Sequence, residues 1–253
     1  MRKRGALIIA HGSRKSEWVA MVDQAVGRVD LEMPVAVGFL EMVEGRAIPD
    51  AIRILEAQGV EEIVAVPLFV SSGSTHIAEI ARMLGVEAPF PVDTDVTPIK
   101  LDAEVRFCRP MDDHPLVVRI LTERARELST VPQDEWVLLV GHGNDMPGLR
   151  EEWEQAMDRL AVQIRRSTGF AGASWATFHP DNLRERAEDL ARDFRLLVVP
   201  LFLSEGYFTR KLIPSRLEGI SYVYSGQTYL PHPLVSRWIT TTVREALEER
   251  TFV

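Results

Sequence analysis

The sequence predicts an α/β protein built from two similar halves, in which each half forms a parallel sheet flanked by helices. Short, continuously apolar runs alternate with amphipathic helical patterns, which is typical of parallel strands covered on both faces. Most of these runs lead into a turn that contains glycine, serine or histidine. The same order of runs and turns recurs in the second half of the chain, which indicates a duplicated unit.

The first half opens with a buried strand that leads directly into a polar loop. Residues 5–10 are apolar and end at His11-Gly12, as expected for a strand followed by a turn. Apolar side chains spaced three and four residues apart predict a helix over residues 16–30. The same reasoning predicts the remaining elements of this half, which are a strand over 35–40, a helix over 48–58, a strand over 63–70 and a helix over 77–84.

The second half repeats this order. Its predicted elements are strands over 136–140, 173–178 and 196–203 and helices over 149–164 and 182–194. Residues 66–71 (VPLFVS) match residues 199–204 (VPLFLS), and residues 114–117 match residues 232–235, both reading HPLV. The spacing between matching segments varies, so the linkers have changed length. We place the boundary in the polar stretch 128–135, which gives lobes 1–130 and 131–253.

Composition narrows the classes of partner. The 253 residues carry a net charge of −8, which disfavours nucleic acid because phosphate neutralisation needs a basic surface. No apolar stretch approaches the roughly 20 residues of a membrane span. The single cysteine, Cys108, excludes an intramolecular disulfide and fits a reducing compartment. We therefore expect a cytoplasmic protein that acts on a small molecule, with neither a nucleic-acid nor a membrane partner.

Three strand ends of the first half carry side chains suited to a metal ion. Ligands of open parallel sheets bind beyond the carboxyl ends of the strands, where His11, Glu41 and His76 lie. Imidazole and carboxylate groups suit borderline divalent metals such as iron, cobalt, nickel and zinc. Glu41 is interpreted equally well as a solvated residue at a helix start. Glu79 is expected to face solvent, with contact to the ligand or orientation of His76 as the alternatives.

The loop before His76 and its counterpart in the second half differ in chemistry. Residues 71–75 either cap a helix or bind an anionic group through backbone N–H groups. In the second half His142 matches His11, His179 falls near the position of Glu41, and Thr209 falls where His76 would be. His114 and His232 each precede Pro-Leu and are interpreted as structural caps. No Gly-Lys-Ser/Thr motif occurs, so no nucleotide is expected.

Two segments together resemble the CbiX/SirB family of sirohydrochlorin chelatases. They are residues 10–14 (AHGSR) and residues 66–76 (VPLFVSSGSTH), supported by the FLE strand end at 39–41. The resemblance covers nearly the whole chain and implies two α/β lobes with a cleft between them. It implies His11 and His76 as the metal-binding and catalytic histidines with Glu41 assisting, and an acidic tetrapyrrole as substrate. The second lobe, in which Thr209 stands for histidine, is then a substrate wall rather than a second catalyst.

The substrate-binding residues that we expect on this basis are Ser13, Arg14, Ser71, Ser72, Gly73, Ser74, Thr75, His142 and Tyr207. The ion, Co²⁺ or Fe²⁺ and possibly Ni²⁺, is a substrate of the expected reaction. Imidazole suits such a reaction because it can act as ligand and as base near neutral pH. Two alternatives stay open, a non-catalytic protein that carries a tetrapyrrole or metal and a nickel chelatase acting on a related macrocycle. The sequence is compatible with a monomer or a homodimer.

Overall fold

The computed structural model describes residues 2–88, 90 and 92–248, and the chain divides into two compact units. Unit 1 comprises Met1–Met111 and Pro233–Val253, and unit 2 comprises Asp112–His232. Within the described residues each unit contains a four-stranded parallel sheet with helices packed against it, which confirms the predicted fold class. In the same described ranges, none of the helices combines the length and apolarity that crossing a membrane requires.

The sheet of unit 1 has the strand order β2-β1-β3-β4. Its strands are β1 (Arg4–Ala10), β2 (Val35–Phe39), β3 (Glu62–Pro67) and β4 (Glu104–Phe107). Its helices are α1 (Ser16–Val26), α2 (Ile48–Ala57), α3 (Thr75–Met83) and, after the whole of unit 2, α8 (Pro233–Glu248). The two central strands, β1 and β3, are buried almost throughout, which explains their continuously apolar sequences.

The sheet of unit 2 has the corresponding order β6-β5-β7-β8. Its strands are β5 (Glu135–Gly143), β6 (Gly172–His179), β7 (Arg195–Pro200) and β8 (Tyr222–Val223). Its helices are α4 (Pro115–Leu128), α5 (Leu149–Ser167), α6 (Leu183–Leu190) and α7 (Ile213–Arg216), with a π-helical turn over Phe208–Leu212. The shared strand order supports the duplication that the sequence repeat indicates.

The edge strands β4 and β8 are missing from the sequence prediction. Each pairs with one neighbour only, and none of their residues is fully buried. Strands of two to four residues at a sheet edge carry no continuous apolar run, so the pattern that identifies the central strands is absent. Conversely, the strands predicted at 63–70 and 196–203 end in the structure at Pro67 and Pro200, three residues earlier. The prediction ran too far because the apolar run continues into loops that are partly buried.

The units do not follow the predicted lobes 1–130 and 131–253. Helix α4 packs against α5 and β7 of unit 2, and α8 packs against α1 and β3 of unit 1. The hydroxyl of Ser236 in α8 donates to the carbonyl of Ala25 at 2.7 Å. The last helix of each sequence repeat is therefore exchanged between the units. Sequence repeats cannot reveal such an exchange, since either connectivity gives each sheet one such helix.

Candidate functional site

His11 and Glu41 are brought together by the close approach of two backbones. His11 follows β1 and Glu41 lies two residues beyond β2, where the N–H of Glu41 donates to the carbonyl of His11 at 3.0 Å. Gly12 has a φ of +101°, and a Cβ placed there would lie 1.9 Å from the carbonyl oxygen of Glu41. Only glycine fits such a contact, so the His-Gly pair places an imidazole beside the end of the neighbouring strand.

His76 reaches the same point from helix α3. The helix begins at Thr75 rather than at the predicted residue 77, so His76 lies in its first turn. The ring centroids of His11 and His76 are 4.7 Å apart, with the ring planes at 71°. Glu79, one turn later, accepts from His76 Nδ1 at 2.9 Å. The side chain of Glu79 is 31% exposed, so it is partly solvated as expected, and its contact supports the alternative that it orients His76.

The contacts of Nδ1 favour a proton on that nitrogen in both histidines. Nδ1 of His11 lies 3.1 Å from the carbonyl of Gly12, and a carbonyl can only accept. Nδ1 of His76 faces the Glu79 carboxylate in the same way. With the proton on Nδ1, Nε2 of a neutral ring carries the lone pair, which is the arrangement of metal-ligating histidines whose other nitrogen donates to a carbonyl or carboxylate.

The Glu41 carboxylate completes this cluster. Its Oε1 lies 3.4 Å from His11 Nε2, and the two side chains are 48% and 34% exposed, so solutes can reach them. Two ligand atoms about 2.1 Å from one ion and at a tetrahedral angle lie about 3.4 Å apart, so this spacing is compatible with a shared ion. Within the described part of the chain, no group of three or more His, Cys, Asp or Glu side chains has a geometry that could hold a metal ion.

The serine-rich loop beside His76 is largely held by its own contacts. Ser71 and Ser72 are buried, and the Ser71 hydroxyl accepts from the N–H of Gly73 at 3.1 Å. Ser74 is the N-cap of α3 and makes no side-chain capping bond, and Thr75 is the first helical residue. The loop thus places the helix N-terminus next to His76, where backbone N–H groups favour an anionic ligand. Loop residues that are buried, such as Ser72, are less suited to touch a substrate directly.

The other predicted contacts lie in less constrained positions. The Ser13 hydroxyl accepts from the N–H of Lys15 at 3.1 Å, so it shapes the turn after His11. Arg14 is exposed in the same turn. Tyr207 of unit 2 is 65% exposed and precedes Phe208, its ring 5.9 Å from that of Phe208.

Unit 2 places a different set of rings at the corresponding strand ends. His179 occupies the position of Glu41, because a Cβ at Gly143 would lie 2.2 Å from the His179 carbonyl oxygen, just as a Cβ at Gly12 would meet Glu41. Phe208, not Thr209, takes the place of His76, with its ring 4.9 Å from His142. Thr209 is buried and bonded to Gly206. Counting residues from the matching serines missed this, because Phe208 lies four residues after Ser204 whereas His76 lies five residues after Ser71.

The two histidines that precede Pro-Leu lie in structural roles. His114 is the N-cap of α4 and accepts from the N–H of Leu116 at 3.1 Å, which confirms its interpretation as a cap. His232 pairs through Nε2 with Glu123 at 3.1 Å. Burial of its side chain lowers the pKa of His232, an effect that the nearby Arg124 adds to and Glu123 opposes.

Comparison with known proteins finds one protein family over both halves of the chain. The sequence model of the CbiX family matches residues 5–128 and 136–250. A sirohydrochlorin cobaltochelatase of Methanopyrus kandleri is 29% identical over 136 residues, which are 48% of this chain and 94% of the relative. A sirohydrochlorin cobaltochelatase of Methanococcoides burtonii is 30% identical over 130 residues, or 50% of this chain and 97% of the relative. These relatives thus correspond to about half of the chain.

Solved structures similar to the whole chain have the same fold. SirB from Bacillus subtilis with Fe³⁺ superimposes with a TM-score of 0.75 at 18% identity, over 98% of this chain and 97% of that protein. The structure of CbiX, described as the terminal enzyme for biosynthesis of siroheme in denitrifying bacteria, gives a TM-score of 0.65 at 19% identity, over 96% of this chain and 99% of that one. At these identities the similarity establishes the fold.

Proposed function

Because the chain belongs to the CbiX family through both of its halves, we propose that it is a sirohydrochlorin chelatase, an enzyme that inserts a divalent cobalt or iron ion into a sirohydrochlorin-type tetrapyrrole. The names of its relatives support cobalt, and the B. subtilis structures with iron and with cobalt support either ion. The observation that carries the proposal is the cluster in unit 1, where His11 lies beside His76 and 3.4 Å from Glu41.

The proposed roles follow from the chemistry of metal insertion. A divalent ion must exchange water for the four ring nitrogens, and two pyrrole N–H protons must leave. The Nε2 lone pairs of His11 and His76 can ligate the incoming ion or accept those protons, because neutral imidazole does both near neutral pH. Glu41 offsets part of the ion's charge. Glu79 and the Gly12 carbonyl keep the two rings in the required tautomer.

The acidic substituents of the substrate need separate contacts. We assign these to the N-terminus of α3 with Ser74 and Thr75, and to Ser13 and Arg14 in the turn after His11. Ser71, Ser72 and Gly73 support this loop from within. His142 and Tyr207 of unit 2 stay predicted substrate contacts. The net charge of −8 supports a small-molecule partner over a nucleic acid. We further infer a cytoplasmic enzyme that needs no nucleotide and acts as a monomer or a homodimer.

The test is an anaerobic metal-insertion assay followed by the absorbance of sirohydrochlorin. Wild-type protein should accelerate insertion of Co²⁺ or Fe²⁺ over the uncatalysed rate, and H11A/H76A should lose that acceleration. H114A is a matched control, because it removes an imidazole outside the cluster at the cost of a helix cap, about 1 kcal/mol. Running Ni²⁺ in parallel tests the nickel alternative. Tight binding of the tetrapyrrole without acceleration would refute the enzyme in favour of a binding protein.

A further inference from the structure

Unit 2 contains a histidine pair at the carboxyl edge of its own sheet. His142 lies in β5 and His179 ends β6, and Gly143 pairs with His179 in the strand register. The two imidazole rings are stacked, with centroids 4.8 Å apart and planes at 28°. The separation is close to the 4.7 Å between His11 and His76 in unit 1. Each sheet thus carries two imidazoles at the edge where parallel sheets bind ligands.

The hydrogen bonds of this pair repeat those of the pair in unit 1. Nδ1 of His142 lies 3.0 Å from the carbonyl of Gly143, as Nδ1 of His11 lies near that of Gly12. Nδ1 of His179 lies 3.0 Å from Oδ2 of Asp145, as Nδ1 of His76 lies near Glu79. One ring donates to a carbonyl and the other to a carboxylate in both units. The carboxylate comes from helix α3 in unit 1 and from the loop after β5 in unit 2, so the agreement at this second ring is not explained by the sequence repeat.

Phe208 lies beside His142 in unit 2, at the position that His76 has beside His11 in unit 1. Its ring contacts His142 at 4.9 Å and packs on Phe178 and Phe202 at 5.2 and 5.4 Å. An apolar ring therefore stands where unit 1 has its second imidazole, and His179 supplies the second imidazole from the position of Glu41. The carboxylate of Asp145 is engaged with His179 Nδ1, so it orients that ring. This leaves two nitrogen donors as protein ligands, in keeping with the absence of any group of three ligands among the described residues.

We propose that His142 and His179 form a second binding site for a divalent first-row transition metal ion, with Asp145 as the positioning residue. Both Nε2 atoms carry the lone pair when Nδ1 donates, and imidazole nitrogen suits Co²⁺, Ni²⁺ and Zn²⁺. Because two protein ligands leave most coordination positions to water or to an anionic oxygen, the ion is bound more weakly than by a full ligand set. Metal binding at this pair can be tested without the proposed chelatase activity, in which His142 is also a predicted substrate contact.

The experiment measures Co²⁺ binding to the full chain in the absence of tetrapyrrole, by equilibrium dialysis and by the visible absorbance of bound Co²⁺. The H11A/H76A variant removes the histidines of unit 1 and should still bind one Co²⁺ per chain. Adding H142A/H179A should abolish that binding, while thermal unfolding verifies that the variants are folded. The proposal is overturned if H11A/H76A binds no Co²⁺, or if the quadruple variant binds as much as the double variant.

Two further substitutions in the H11A/H76A background distinguish a metal site from a merely structural histidine pair. Asp145→Asn should weaken Co²⁺ binding about tenfold, the usual effect of losing a group that orients a ligand. Phe208→His supplies a third imidazole and should tighten Co²⁺ binding, whereas Phe208→Leu, its matched control, should not. Equal affinity in Phe208→His and Phe208→Leu would contradict the assigned geometry. These measurements need no turnover, so failure of the chelatase assay and failure of this site are distinguishable.

Discussion

At the scale of single residues, the candidate site depends on how its histidines are held. His11 is held by a backbone contact that tolerates no side chain at Gly12, and His76 is held by the Glu79 carboxylate. The sequence indicated the histidines themselves because they follow predicted strands. It left the role of Glu79 open, because a carboxylate three residues along a helix faces either solvent or a neighbour, depending on where the helix begins.

Gly12→Ala should displace the backbone around the site, in addition to the ordinary cost of a side chain at a positive φ. The new Cβ would lie 1.9 Å from the carbonyl oxygen of Glu41, so the backbone that holds Glu41 beside His11 must move. Gly85→Ala is the matched control, since Gly85 also has a positive φ, +67°, but nothing within 4 Å of the added Cβ. The control should cost about 1–2 kcal/mol of unfolding free energy, the penalty for a left-handed residue.

We expect Gly12→Ala to exceed that cost in urea unfolding and to reduce the metal-insertion rate, while Gly85→Ala leaves the rate near that of the wild type. If both variants unfold alike and insert metal alike, the contact between Gly12 and Glu41 does not position the site.

Glu79→Gln should weaken metal handling without unfolding the chain. The amide keeps the size of the side chain but removes the charge that holds the proton on His76 Nδ1. Loss of such an orienting partner typically costs 10–100-fold in metal affinity or activity, roughly the range expected here. The measurements are the metal-insertion rate and its pH profile, which a purely structural residue would leave in place. Glu61→Gln, at an exposed position before β3, is the control and should behave as wild type.

At the scale of strands and helices, the two sheets share an ion pair with its charges reversed. Arg4 of β1 pairs with Glu62 of β3 at 3.1 Å, and these residues are opposite each other in the strand register. In unit 2 the same positions of β5 and β7 carry Glu135 and Arg195, which also form an ion pair. The interaction is thus retained at the start of both central strand pairs while the residue types are exchanged. A comparison of the repeats by residue identity alone overlooks it.

Glu135 should make the folded protein lose stability as the pH falls into the acid range. Its side chain is fully buried, which opposes ionisation, but hydrogen bonds from Ser129, Thr130 and Val131 outweigh burial and lower the pKa of Glu135 to about 2, from 4.5. Since the folded-state pKa lies below the unfolded one, the ionised carboxylate favours the folded state. That contribution is complete above pH 4.5 and is lost as the pH falls toward 2.

Glu135→Gln should therefore lower the unfolding free energy at pH 7 by roughly 1.5–3 kcal/mol, the range for hydrogen bonds to a charged group. The deficit relative to wild type should shrink when urea unfolding is repeated at pH 3. Glu61→Gln provides the baseline, with no deficit expected at either pH. An equal deficit for Glu135→Gln at pH 7 and pH 3 would show that its charge is not responsible.

At the scale of the whole molecule, the order of the chain and the composition of the units differ. Helix α8 returns to unit 1, where Trp238 is buried and the hydroxyl of Thr240 accepts from the N–H of Asp30 at 3.2 Å. Helix α4 stays in unit 2, where Arg124 donates to the carbonyl of Thr228 at 3.3 Å. A fragment cut at the boundary suggested by the repeat would therefore keep a helix of the wrong unit and lose its own.

This exchange predicts which fragment folds. A polypeptide of residues 1–130 should lack cooperative thermal unfolding, because the apolar surface that α8 covers in unit 1 is exposed. Residues 1–111 joined to 233–253 through a flexible linker should unfold cooperatively. Circular dichroism in the near-ultraviolet, which reports on packed aromatic side chains such as Trp18 against Phe39 in both polypeptides, distinguishes the two. Cooperative unfolding of 1–130 alone, with none for the joined polypeptide, would contradict the division of the chain described above.

The sequence by itself determined the α/β class, the duplication and the strand ends at which His11, Glu41 and His76 lie. Central parallel strands are buried on both faces, so they are recognised in the sequence as continuous apolar runs. The loops beyond their carboxyl ends bring polar side chains together at one edge of the sheet. The tertiary structure decided what depends on contacts between distant segments. These are the exchange of α4 and α8, the edge strands, the pairing of His76 with Glu79, and the place of Phe208 beside His142. A helix can cover either sheet with the same apolar face, and a loop one residue shorter points a different side chain at the same site, so neither outcome is encoded in a local pattern.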